Sequence, residues 1–136
     1  MLMPSRVKYR KHHLLKSKGI SKGAKELHFG DYGLKVLESG YITQRQIEAC
    51  RLTLSRFLKH GGKIWIRIFP DLSVTKKPAE TRMGRGKGDP AYWCSRVKKG
   101  RIIFEVEGLA KEEAFEALRQ VSFKLPLKTK IVCRER

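Results

Sequence analysis

The sequence predicts an α+β protein, and three observations carry that expectation. Two stretches repeat apolar residues at helical spacing; several short runs rich in β-branched and aromatic residues lie between glycines and prolines; and the basic residues gather in two segments outside those elements. The chain has 136 residues, 40% of them apolar, enough for one domain spanning 1–136 with a modest core. It carries 31 Lys and Arg against 13 Asp and Glu, a formal net charge of +18. Repulsion on that scale disfavours a compact isolated state, so a polyanion is the expected partner and nucleic acid the leading candidate. An anionic membrane fits less well, because the chain has neither a long apolar run nor a strongly basic amphipathic helix with an aromatic face.

Residues 1–26 read as a basic extension. Arg6, Lys8, Arg10, Lys11, Lys16, Lys18, Lys22 and Lys25 stand against the single acid Glu26, with few large apolar residues to hold them in a core. A solubilising tail is the plain alternative; Tyr9, His12 and His13 among the cations favour ordering against RNA. From Leu27 to Leu37 the apolar residues, broken by Gly30 and Gly33, suggest short strand pieces around a tight turn. Thr43 then opens a helix, with Gln46 three residues on completing a capping box and Gly61 and Gly62 expected to stop it. Ile47, Cys50, Leu54, Phe57 and Leu58 fall on one side of that helix, and Arg45, Arg56 and Lys59 opposite, with Leu52 among the cations.

Lys63 to Pro70 reads as a strand with Ile64, Ile66 and Ile68 on one face and Trp65, Arg67 and Phe69 on the other. The second face is either cover for a minor core or a surface that stacks on RNA. Residues 76–91 form a long basic loop, in which Gly84, Gly86 and Gly88 permit close backbone approach while Lys76, Lys77, Arg82, Arg85 and Lys87 supply cations around Met83. Tyr92 to Val97 and Arg101 to Glu107 follow as two strands, expected to pair as a hairpin across Lys98-Lys99-Gly100. A second helix, roughly Ala110 to Leu125, places Ala114, Ala117, Leu118 and Val121 on one stripe and Glu112, Glu113 and Glu116 opposite. Thr129 to Cys133 forms the last strand.

The chemistry-bearing residues form no reactive set. Lys87 is followed by glycine where a phosphate-binding nucleotide loop needs Ser or Thr, and Pro90 with a strand follows where a dinucleotide site needs a helix. The four histidines and three cysteines lack metal-ligand spacing, so no metal or cofactor is expected. Cys50, Cys94 and Cys133 are an odd, widely spaced set, which argues for a reducing compartment and against a disulfide framework. The start, Met1-Leu-Met-Pro-Ser-Arg, has no hydrophobic signal core, so the protein is expected to work where it is made. No catalytic residue is proposed.

Two long motifs, Arg82-Met-Gly-Arg-Gly-Lys-Gly-Asp-Pro-Ala-Tyr-Trp93 and Gly62-Lys-Ile-Trp-Ile-Arg-Ile-Phe-Pro-Asp71, resemble the signatures of the bacterial and organellar ribosomal protein L-sixteen family. Arg6-x-Lys8-x-Arg10-Lys11, Tyr32-Gly-Leu-Lys35, Thr43-x-Arg45-Gln-Ile-Glu-Ala49 and Leu125-Pro-x-Lys-Thr129 extend the resemblance over nearly the whole chain. It implies an α/β-hammerhead-like fold, an antiparallel, partly barrel-like sheet with two helices. The implied role is a non-enzymatic, structural one in the large ribosomal subunit. Large-subunit ribosomal RNA would be bound by Arg6, Lys8, Arg10, Lys11, Lys16, Lys18, Arg45, Arg56, Lys59 and Arg67. The loop of Lys76, Lys77, Arg82, Met83, Gly84, Arg85, Gly86, Lys87 and Gly88 would reach transfer RNA in the aminoacyl site, with the peptidyl site as second candidate. Neighbouring large-subunit proteins are further implied partners, and the implied location is the cytoplasm, or an organelle for an organelle-encoded member. A free RNA chaperone or translation regulator using the same surfaces is the alternative.

Overall fold

The computed structural model describes residues 2–5, 19–58, 61–75 and 90–134. Strands β1 (Tyr32–Val36) and β2 (Gly40–Thr43) lead into helix α1 (Gln44–Phe57). Strands β3 (Lys63–Ile66), β4 (Leu72–Thr75), β5 (Pro90–Val97) and β6 (Ile102–Glu107) precede helix α2 (Lys111–Ser122), and β7 (Thr129–Cys133) closes the order. The strands make two antiparallel sheets, β3-β6-β1-β7 and β2-β5-β4, which is the expected α+β class with no closed barrel among the described residues.

Helix α1 starts where its capping box dictates. The Thr43 side chain accepts from the Gln46 N–H at 3.2 Å and the Gln46 side chain accepts from the Thr43 N–H at 2.9 Å, so two donors with no helical partner are satisfied. The helix ends at Phe57, with Leu58 as its cap, earlier than the glycine pair at 61–62, which instead lies in the link to β3. Helix α2 is shorter than expected at both ends, and Ala110 caps it without a side-chain bond. The two helices pack on each other through small residues: Ala114, Ala117 and Val121 are fully buried, and the Cys50 thiol lies 3.9 Å from the Val121 carbonyl. Against them the sheets contribute Leu34, Val36, Ile42, Val97, Phe104 and Val106, all at most 1% exposed. Burying each such side chain stabilises the fold by about 1.5–3 kcal/mol before entropy is subtracted.

The expected pairing of the two strands after the basic loop is overturned. β5 and β6 do not pair as a hairpin; β5 lies between β2 and β4, and β6 lies between β3 and β1 in the other sheet. The turn between them diverts the chain. Gly100 takes φ +95, its N–H donates to the Val36 carbonyl at 2.8 Å, and the Val36 N–H donates to Arg101 at 2.9 Å, so the chain is captured by β1 before it can fold back on β5. The burial of β6 explains the choice, since Ile102 to Val106 are all buried and only a central strand covered on both faces suits them. β2 and β4, four residues each, were not expected, and the strand from Lys63 stops at Ile66, although the Arg67 N–H still bonds to Ile103.

Candidate nucleic-acid interface

The basic loop is rooted on a hairpin. β4 and β5 pair antiparallel from Leu72 with Cys94 to Thr75 with Pro90, so the segment 76–89 leaves and rejoins the body at adjacent backbone positions. Helix α1 fixes that root from behind. The buried Gln44 side chain accepts from the Trp93 N–H at 2.8 Å, and Thr43 and Arg45 line a hollow with Ala91 and Tyr92. A strand end tied both to a neighbour and to a helix N-terminus gives the loop a firm base. Lys76, Lys77, Arg82, Met83, Gly84, Arg85, Gly86, Lys87 and Gly88 themselves lie outside the described residues, as do Arg6, Lys8, Arg10, Lys11, Lys16, Lys18 and Lys59.

Of the remaining candidates, Arg45 and Arg56 are exposed on the outer side of α1, seven and four residues respectively from Leu52, which is 47% exposed. Neither arginine has an ion pair among the described residues. Arg51 beside them is neutralised: it holds Glu48 at 2.5 Å, which keeps the Glu48 carboxyl below the usual carboxylate range. The outer face of α1 is thus a cationic stripe with a leucine in it, continuous at Arg45 with the root of the loop.

Arg67 faces another way. Its guanidinium lies 3.0 Å from the Glu105 carboxylate and donates to the Glu26 carbonyl at 2.8 Å, and its side chain is only 14% exposed. Glu105 is fully buried, and its Oε1 accepts from three successive backbone N–H groups, His28, Phe29 and Gly30, at 3.0, 3.0 and 3.1 Å. A carboxylate taken out of water needs this many partners, because an unpaired buried charge costs several kcal/mol. The set clamps residues 28–30 onto the sheet. Arg67 is therefore spent on holding the segment that follows the basic extension, and the strand's second face is covered in the way one of the two sequence readings anticipated. Gly30 makes the close approach possible, since a Cβ there would sit 2.6 Å from the Val106 carbonyl oxygen. Upstream, Ser21 bonds to Lys99 at 2.8 Å and the Ala24 carbonyl accepts from Ile102 at 2.7 Å, so the last part of the extension is laid along the body.

Sequence reasoning missed Glu105, Gln44 and the clamped segment. Glu105 stands alone within a run of Ile, Phe and Val, and a lone acid in such a run is the one signal that could have marked a buried, partnered charge. Among the described residues no three His, Cys, Asp or Glu side chains are placed to hold a metal, and no helix is long and apolar enough to cross a membrane.

These features define a small basic α+β protein that carries the root of a cationic loop and a cationic helix face on one folded body. The comparisons agree with that class. Residues 4–132 match the family described as ribosomal protein L16p/L10e. The chain is 56% identical over 134 residues to the large ribosomal subunit protein uL16 of Chlamydia pneumoniae and 55% identical over 134 residues to that of Chlamydia trachomatis serovar L2. Each alignment covers 98% of this chain and 97% of the relative. The chain belongs to the ribosomal protein L16p/L10e family. It is a ribosomal, RNA-binding component of the translation machinery and not an enzyme.

Proposed function

We propose that this protein is a structural constituent of the large ribosomal subunit, which binds large-subunit ribosomal RNA and contacts transfer RNA at the aminoacyl site. The near full-length kinship with large ribosomal subunit proteins carries this reading. The mechanism is electrostatic and geometric. Arg and Lys neutralise phosphates where RNA segments converge and release condensed counterions, while glycines let the loop backbone into a narrow gap. The anchoring cations are those of the extension, Arg6, Lys8, Arg10, Lys11, Lys16 and Lys18, together with Arg45, Arg56 and Lys59 of the α1 face. The loop from Lys76 to Gly88 serves the transfer-RNA site, with the peptidyl site as a second contact. Its rooting on β4 and β5, backed by Gln44, supports this division, because a firm base lets a loop present its tip at a fixed place. Chlamydial relatives support a bacterial ribosome in the cytoplasm.

The test separates anchoring from tuning. With Arg82, Arg85 and Lys87 all changed to Ala, the protein is expected to enter large subunits and stay bound through a high-salt wash, while aminoacyl-tRNA accommodation slows. Loss of incorporation with normal accommodation in the surviving particles would refute the division of labour. Release of the wild-type protein by the wash would refute the constituent role and favour a transient RNA chaperone.

A further inference from the structure

The clamp that hides Glu105 also presents an aromatic ring to solvent. Phe29 is 53% exposed, yet it is among the most firmly held residues of its segment. Its N–H and those of both neighbours end on the one buried carboxylate oxygen. Its ring lies nearly parallel to Trp65, with centroids 5.8 Å apart and planes at 19°, and the Arg67 guanidinium carbon is 5.5 Å from its centre. His28 stands edge-on at 6.4 Å. An apolar ring left open to water is unfavourable, and one already fixed in place loses little further freedom when something covers it.

The surroundings choose the occupant. By strand alternation and register, Lys63 and Trp65 of β3 share a sheet face with Glu105 and Glu107 of β6, Lys35 of β1 and Lys130 of β7, and Arg67, just past the end of β3, reaches Glu105 on that face. Lys25 is exposed on the segment that crosses this face. Glu107 is the exposed acid of that set, opposite Lys63. A flat ring backed by a second ring and an arginine, among lysines, suits a nucleobase with its phosphates; an apolar protein surface would meet one ring and many charges.

We propose that Phe29, backed by Trp65 and Arg67, is a stacking platform for an unpaired base of ribosomal RNA. The inference rests on the RNA-binding reading above and adds to it a site, a contact mode and a residue. The base lies over the Phe29 ring and its flanking phosphates meet Lys63 or Lys25. Phe29 is the recognising group, and Glu105 acts through it as a positioning residue.

The experiment measures binding of the full-length protein to protein-free bacterial large-subunit ribosomal RNA over a range of salt, with thermal unfolding followed in parallel. Phe29→Ala is expected to weaken binding about tenfold with the salt slope unchanged, because stacking releases no counterions. Phe29→Leu restores apolar cover and stability but stays weak in binding, and Phe29→Trp binds at least as well as wild type. Lys63→Ala gives the opposite signature, a salt slope shallower by about 0.7–0.9. If Phe29→Leu binds RNA like wild type, the ring is only structural cover and the proposal falls. If that variant binds RNA normally but fails to enter subunits, the ring meets a protein and the proposal also falls. Wild-type protein with no salt-dependent RNA binding would instead remove the RNA reading itself.

Discussion

The two faces of the four-stranded sheet are closed by different physics. On one face, Leu34, Val36, Phe104 and Val106 meet α1 and α2 in a core of aliphatic and small residues. On the other, the segment around 24–30 is held by a buried carboxylate, three backbone N–H groups, an arginine and a pair of stacked rings. The first contact is non-directional and tolerates changes of shape that keep volume. The second depends on geometry to within tenths of an ångström, because each donor must reach one oxygen. A face that must hold one short segment of chain in a single place gains more from the second kind of contact than from a larger core.

Neighbouring residues on β6 allow the contrast to be broken from either side. Phe104 is fully buried toward the helices, and Phe104→Ala should cost about 3–5 kcal/mol in urea unfolding. Glu105→Ala should cost a comparable ~3–5 kcal/mol, because it strands the buried Gly30 N–H, the partly covered N–H groups of His28 and Phe29, and the Arg67 charge together. Hydrogen exchange separates the two. The Glu105 variant should lose protection first at residues 28–30, while the Phe104 variant loosens both helices. A Glu105→Ala variant with intact protection at 28–30 would show that packing alone closes that face.

Gly30→Ala tests the same face by crowding it. The added methyl would sit 2.6 Å from the Val106 carbonyl oxygen and 3.0 Å from the Val106 nitrogen, both backbone atoms that cannot swing aside. The expected cost is about 1–3 kcal/mol, as for other overpacked sites. The loss should track weaker docking of 28–30, not of the helices. A neutral result would mean that the clamp yields more easily than its bond lengths imply.

The sequence was legible where one periodicity settled the outcome. The capping box at Thr43 and Gln46 and the stripe of Ile47, Cys50 and Leu54 placed α1, and the alanine stripe placed α2, because helical spacing follows from local geometry. The pairing of β5 was not legible. A short basic turn ending in glycine between two alternating runs looks like a hairpin, and only the capture of Gly100 and Arg101 by Val36, more than sixty residues earlier, sends the next strand to the other sheet. The face of Trp65 and Arg67 was readable as an alternative between cover and RNA surface, but its partners Glu105 and Phe29 are distant in the chain and no spacing rule joins them. Of the candidate interface, composition revealed the cationic segments, whereas the hairpin that roots the loop depends on β4, four residues long and too short to announce itself.

Thiol chemistry gives the smallest effect and a direct reading of which face opens. Cys50 lies in the helix-side core, where burial raises its pKa from 9.0 to about 12 against a weaker opposing pull from Lys124. Cys94 is raised in the same direction by burial and then by Asp71, while Cys133 is exposed at the edge strand. A thiol reagent at mildly alkaline pH should therefore label Cys133 at once and the other two only through opening, since the thiolate is the reacting form. Phe104→Ala should speed labelling of Cys50 more than Gly30→Ala does, because only the former loosens the core that covers it. The pH dependence has a fixed sign. The folded state keeps the Cys50 proton up to about 12 while the unfolded chain releases it near 9.0, so this stabilising contribution is complete below 9.0 and is lost as pH climbs from there toward 12. The stability advantage of wild type over Cys50→Ala should accordingly narrow above pH 9.0. An advantage that widened with pH would mean that the thiol ionises more readily in the folded protein, and the helix-side core would then hold a charge as the other face holds the Glu105–Arg67 pair.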